Sequence, residues 1–253
     1  MDGRGLSDQG TQITEKGKIM MDFGFYNMDC MEGMKEFPDK YFHLAIVDPP
    51  YGSCGGGFAN DSRFGERFAR YNHSGETWHG IKHGCGHWKY SDVKWDIAPQ
   101  KEYFEELFRV SKNQIIWGGN YFTLPATRCF LIWRKTSVPQ NFTMAMCEYA
   151  WTSFNDNAKV FDFSAVGIPG RFHPTQKPVE LYKWILNNYS KDGEIILDTH
   201  VGSGSSLVAC RETGHKYVGF EIDPEYYAKA KERVDAAEAQ MTLFDFGYNP
   251  YQE

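Results

Sequence analysis

No apolar run in the 253 residues approaches the ~20 that a helix needs to cross a bilayer, so the sequence offers no membrane span. The opening stretch from Met1 to Lys18 is polar and glycine-rich and lacks the apolar core of a secretory signal; it reads as a flexible leader. Cysteines are sparse and scattered. Cys30, Cys54, Cys85, Cys129, Cys147 and Cys210 have none of the paired spacing of a disulfide framework, which suits a reducing, cytoplasmic setting. An excess of positive charge is missing too: the formal net charge is -6, so overall electrostatics give no support to a nucleic-acid partner and any such case must rest on motifs. Internal repeats are absent.

What is present is an ordinary globular composition, with 42% hydrophobic and 24% charged residues, enough for one core. The run Phe42-His43-Leu44-Ala45-Ile46-Val47 has the look of a buried parallel strand and stops at Asp48-Pro49-Pro50-Tyr51. Helical spacing is read over residues 30–37, 99–110, 178–189, 205–213 and 224–239. Further strands are read over residues 114–117, 129–133, 146–151, 194–197 and 217–220. The 129–133 and 146–151 pair is suited to an antiparallel hairpin, and residues 153–172 read as loop. Alternating strands and helices imply a doubly wound, mainly parallel α/β sheet. The domain reading is a leader over 1–18, a catalytic domain over 19–239 with an insertion over 52–96, and an exposed tail over 240–253.

Two features suggest an adenosine-containing cofactor. Asp198 is followed by a turn, Gly202-Ser203-Gly204, that opens the helix beginning at Ser205. Glycine there lets a ligand approach the backbone, and helix-start amides can hold polar groups. Glu221 closes the next strand, placed to accept hydrogen bonds from ribose hydroxyls. A nicotinamide dinucleotide is the rival, but the third glycine of its pyrophosphate turn is absent. Asp198 before the turn better suits a cofactor with a cationic amino group. A tight turn with no ligand stays open as the plain alternative.

Asp48-Pro49-Pro50-Tyr51 after a buried strand resembles the signature of the DNA amino-methyltransferases. His173-Pro174-Thr175-Gln176-Lys177-Pro178, the Asp198 to Ser206 turn and Gly219-Phe220-Glu221 resemble further motifs of that family. Their order is that of its circularly permuted beta group. The resemblance implies a Rossmann-like, seven-stranded methyltransferase fold, S-adenosylmethionine as cofactor, and double-stranded DNA as partner. It leaves room for a homodimer and for a restriction endonuclease acting beside it.

On this resemblance Asp48 and the Pro49 carbonyl accept from the target amine, the prolines at 49 and 50 stiffen the loop, and Tyr51 stacks on a flipped base. Asp29 would approach the cofactor adenine, Thr175 and Lys177 its ribose or amino-acid part, and Ile222 follows Glu221 at the same site. The bland alternatives are a strand-terminating turn for residues 48–51, helix caps for Asp29 and Thr175, and a solvated Lys177. Adenine N6 is the expected target, since aspartate at the first motif position is commoner in that group; cytosine N4 is the alternative, and RNA or a protein amide a more distant one. One departure is Thr199-His200, where the family usually has Pro-Phe; it implies altered cofactor affinity rather than lost activity.

Within the insertion, Arg63, Arg67, Arg70, Lys82 and Lys89 are interleaved with aromatic residues, a pattern that pairs with phosphates and stacks on bases. Acidic neighbours nearly cancel this charge, so a solvated loop is the alternative. His79, His83, Cys85 and His87 match no standard zinc spacing, and no metal is assigned to them.

Overall fold

The computed structural model of the chain describes residues 21–52, 97–140, 145–168, 170–173 and 175–245, with side chains to residue 239. Its centre is set by strand β2, Phe42–Val47, whose side chains are buried on both faces of the sheet. Leu44 and Ile46 join one core while Ala45 and Val47 join the other, as the two-residue period of a strand requires; Phe42, at the strand's start, packs into the second core. Strand β3, Ser111–Trp117, divides in the same way: Ile115 and Trp117 go to the first core and Ile116 to the second.

Helices cover both faces. Helices α1 (Cys30–Met34) and α2 (Lys101–Val110) bury Met34, Tyr103, Phe104, Leu107 and Val110 against one side. Helices α3 (Val179–Tyr189), α4 (Ser205–Glu212) and α5 (Pro224–Asp245) bury Leu181, Ile185, Leu207, Ala230 and Val234 against the other. Each large side chain taken fully from water contributes about 1.5–3 kcal/mol, so these two faces carry the fold. Among the described residues no helix is long and apolar enough to cross a membrane.

The remaining strands are β1 (Gly24–Asn27), β4 (Phe130–Lys135), β5 (Cys147–Thr152), β6 (Lys159–Phe163), β7 (Ile195–Asp198) and β8 (Lys216–Glu221). Sheet order is β1-β8-β7-β2-β3-β5-β4-β6. Strand β5 runs antiparallel to both its neighbours, β3 and β4, and the other pairings are parallel. The expected β4–β5 pairing is therefore present, with β5 lying between β3 and β4.

Three expectations need correction. Among the described residues the sheet has eight strands, not seven. The stretch read as loop over 153–172 contains β6, which hydrogen-bonds to β4 at the sheet edge while Phe161 packs on Trp184 of α3. Strand β1, at the opposite edge, was not anticipated either. Smaller differences are at helix ends: the helix read over 30–37 ends at Met34, and the one read over 224–239 runs to Asp245. The leader over 1–18, the basic residues Arg63, Arg67, Arg70, Lys82 and Lys89, and the histidine-cysteine cluster all lie outside the described residues.

Candidate active site

Strands β1, β8, β7, β2 and β3 run in one direction, so their C-terminal ends share an edge. That edge brings together Asn27 to Asp29, Asp48 to Tyr51, Gly118, the turn after Asp198, and Glu221. Because β5 runs the opposite way, its beginning, with Glu148, lies at this edge also. The register Ala45 to Leu197 places Asp48 and the turn after Asp198 at the ends of adjacent strands.

Asp48 is partly buried and both of its oxygens are engaged. Tyr51 donates its hydroxyl to Oδ1 at 2.6 Å, and the Lys177 ammonium donates to Oδ2. Pro49 is buried, which fixes the loop. The Tyr51 ring stacks on Tyr121 with centroids 4.7 Å apart and meets Phe122 edge-on. Gly118 is required here: its φ of +67° is left-handed, and a Cβ would lie 2.1 Å from the Tyr51 ring. Burial, followed by the charge of Asp48, raises the Tyr51 phenol well above its ordinary value, so it stays a donor.

Lys177 was expected at the cofactor or in solvent. Its side chain is only 2% exposed and lies between Asp48 and Glu148, with the Glu148 carboxylate at 3.1 Å. Its ammonium also sits 5.3 Å from the centre of the Trp117 ring. Lys135 of β4 approaches Glu148 to 2.6 Å. Burial acts to lower the lysine, but Asp48 and Glu148 outweigh it and hold it above the ordinary value. Burial likewise acts to raise Glu148, and Lys177 and Lys135 override that to keep it below the usual carboxylate range. Neither Glu148 nor Lys135 was foreseen from the sequence.

The turn side is built differently. Asp198 Oδ1 accepts from the His200 amide at 3.0 Å and Oδ2 from the Ser206 hydroxyl. Burial, opposed by those bonds and reinforced by Asp48 and Glu221, raises Asp198 to about 7. Glu221 accepts from the Gly202 and Asp223 amides at 2.8 and 2.9 Å, tying β8 to the turn. Gly202 and Gly204 are both left-handed, and Gly204 faces Ala230 and Val234 of α5 rather than open space. Ser205 is buried: its hydroxyl donates to the Lys177 carbonyl at 2.7 Å and accepts from Arg233 at 2.9 Å. Ile222 is 58% exposed beside Glu221.

Asp29 caps α1, accepting from the Met31 amide at 2.7 Å. Thr175 is exposed, its hydroxyl 3.2 Å from His173 Nδ1. The departing Thr199-His200 pair turns toward α2: Thr199 bonds the Tyr103 hydroxyl at 2.6 Å, and His200 meets the Tyr103 ring edge-on. Burial lowers the His200 imidazole to about 4, so it is neutral at neutral pH.

The chain is 26% identical over 231 residues to the type II methyltransferase M.HpaI of Haemophilus parainfluenzae, covering 82% of this chain and 73% of that protein. Among solved structures it resembles the M1.HpyAVI-SAM complex, with a TM-score of 0.50 and 20% identity over 83% of this chain and 98% of the other. It also resembles the cytosine-N4-specific PvuII DNA methyltransferase, with a TM-score of 0.52 and 12% identity over 88% and 93%. At such identities the two structures establish the fold alone. The family model for DNA methylases, N6_N4_Mtase, matches residues 87–232, more than half of the chain, and the protein therefore belongs to that family of DNA amino-methyltransferases.

Proposed function

We propose that the protein transfers the methyl group of S-adenosylmethionine to the exocyclic amine of a base turned out of duplex DNA, and that the base is adenine, methylated at N6. The observation that carries this reading is the adjacency of two parallel strand ends, Asp48 on β2 and the glycine turn after β7. An amine acceptor and a cofactor cradle then stand side by side.

The residues fit the cofactor. Asp29, Asp48, Asp198 and Glu221 gather at this edge, and of these Asp48 is paired with Lys177. Mutual repulsion contributes to the raised Asp198, which a cationic guest would relieve. Glu221 would accept from the ribose hydroxyls, exposed Ile222 would pack on the adenine, and Asp29 would lie near its edge. Gly202 would allow close approach. S-adenosylmethionine, when bound, supplies an electrophilic methyl on a sulfonium.

This chain's contribution is to orient and to stabilise charge. An aromatic amine is a poor nucleophile because its lone pair is delocalised into the ring. Asp48 and the Pro49 carbonyl accept its two N–H bonds and free the lone pair to point at the methyl. Positive charge growing on that nitrogen is stabilised by Asp48, and the proton then shed passes to water. Tyr51 supplies the aromatic face for the base. Aspartate rather than serine at position 48 supports adenine, and the likeness to a type II enzyme supports a restriction endonuclease partner reading the same site. Target contact is assigned to residues 52–96 on their basic and aromatic pattern.

The test is expression in cells free of DNA methylation, followed by sequencing that detects modified bases. N6-methyladenine at a defined motif is expected. N4-methylcytosine would overturn the choice of base, and unmodified DNA despite folded protein would overturn the activity. Asp48→Ala should lower transfer by about 10²–10³-fold or more while DNA binding persists, measured by single turnover with labelled cofactor.

A further inference from the structure

A buried chain of alternating charge runs away from the catalytic loop: Asp48, Lys177, Glu148 and Lys135, from the end of β2, the segment before α3, the start of β5 and the end of β4. Four charges of alternating sign sum to zero, which explains how the fold tolerates them away from water. It does not explain why two extra charged residues extend the pair that Asp48 and Lys177 already make.

We propose that Glu148, supported by Lys135, is a positioning residue for methyl transfer: it shares the Lys177 ammonium with Asp48 and so sets how tightly the lysine grips the catalytic carboxylate. This rests on the methyltransferase reading above. An ammonium has three donors. Paired with Asp48 alone in a dry site, Lys177 would commit that carboxylate to itself and compete with the target amine for the same oxygens. With Glu148 at 3.1 Å on its other side, Lys177 is held in a fixed place and its attraction is divided. Lys135, at 2.6 Å, keeps Glu148 from becoming an unpaired second anion. Trp117 beneath the ammonium limits where else it can go.

Asp48 and Glu148 face Lys177 directly and His173 lies near it on its own segment; Tyr51 and Tyr182 stand near the two anions, Lys135 behind Glu148 and Asp198 behind Asp48. Burial has already lowered His173 to about 4, so it carries no charge near neutral pH. Both tyrosines are raised by burial and stay neutral. Loss of Glu148 therefore removes one of the two anions that keep Lys177 protonated.

Single-turnover transfer from tritiated S-adenosylmethionine to unmethylated genomic DNA, followed between about pH 6 and 10, tests this. Glu148→Gln is expected to slow the step by roughly tenfold or more, with dissociation constants for cofactor and DNA within about twofold. A neutral Lys177 no longer anchors Asp48, so the rate should fall as it loses its proton: beyond this range in the wild type, whose Lys177 is held above the ordinary value, and within it in Glu148→Gln, with Glu148→Asp recovering part of both effects. Should the single change leave Lys135 unpaired and unfold the protein, the charge-balanced Glu148→Gln/Lys135→Met variant carries the same expectation. A folded variant with wild-type rate, or one that is slower with an unmoved pH profile, overturns the relay alone. A wild type that transfers no methyl overturns the methyltransferase reading and the relay with it.

Discussion

Two sets of carboxylates line the same end of the sheet and are held in opposite ways. Around Asp48 and Glu148 each negative charge faces a lysine ammonium. Around Asp198 and Glu221 the partners are backbone amides and a serine hydroxyl. The first set is compensated and suits a neutral guest such as a base, which needs acceptors of fixed geometry. The second is under-compensated, and a positive guest completes it. Neutralising each set with the wrong chemistry should therefore give opposite results.

The sharpest break is Lys177→Met. It leaves Asp48 and Glu148 as buried like charges and should cost about 3–5 kcal/mol of stability by chemical denaturation. A loss below about 1 kcal/mol would mean that the pair behaves as a surface bridge. Next is Gly118→Ala, where left-handed backbone and the overlap with Tyr51 together should cost about 1–3 kcal/mol. Transfer should slow more than cofactor binding weakens, since Tyr51 belongs to the compensated side.

On the other side the effect is one of pH. Burial pushes Asp198 up to about 7 in the folded protein, above the ~3.9 of an unfolded carboxylate. The folded state thus binds the extra proton between those values, and the stability of the free protein should fall as pH rises from about 4 to 7 and then level off. A cationic cofactor favours the ionised form, so its affinity should rise up to about tenfold from pH 6 to 8, with proton release seen by calorimetry in two buffers. Asp198→Asn should flatten both curves. The smallest effect is expected from Asp29→Asn, which keeps the cap on α1 and removes one charge: stability should change by a few tenths of a kcal/mol, with a few-fold loss in cofactor affinity.

The difference between the two sets also marks what could be read in advance. The turn side is local in sequence: a strand, two left-handed glycines and a helix start follow one another within residues 195–206, and each leaves its own residue type. Strand β2 and its proline pair are equally visible, because a strand buried on both faces is apolar along nearly its whole length, as β2 is apart from His43. The lysine relay leaves no such trace, for Asp48 and Lys177 are 129 positions apart and meet only through the sheet. Lys177 alone reads as an ordinary solvated lysine. Edge strands β1 and β6 were missed for a related reason. Each is four or five residues long and half covered, with glycine in one and alternating charge in the other, so neither carries a buried-strand pattern. Ser205 is read into the cofactor cradle because helix starts offer donors; that its hydroxyl braces the Lys177 backbone could not be read from the sequence.

The pairing of the first described strand with the last has a consequence for the birth of the protein. Asn27 bonds the Glu221 carbonyl across 194 positions, and the Ile195 amide reaches back 152 positions to His43. Contacts so distant along the chain close late, and topologies dominated by them fold slowly. A nascent chain released only as far as β6 would hold Asp48 with neither its lysine nor its glycine bend. Methylating capacity should thus arise in one step, as the last strand slots between β1 and β7, leaving the host's DNA untouched by any half-made enzyme.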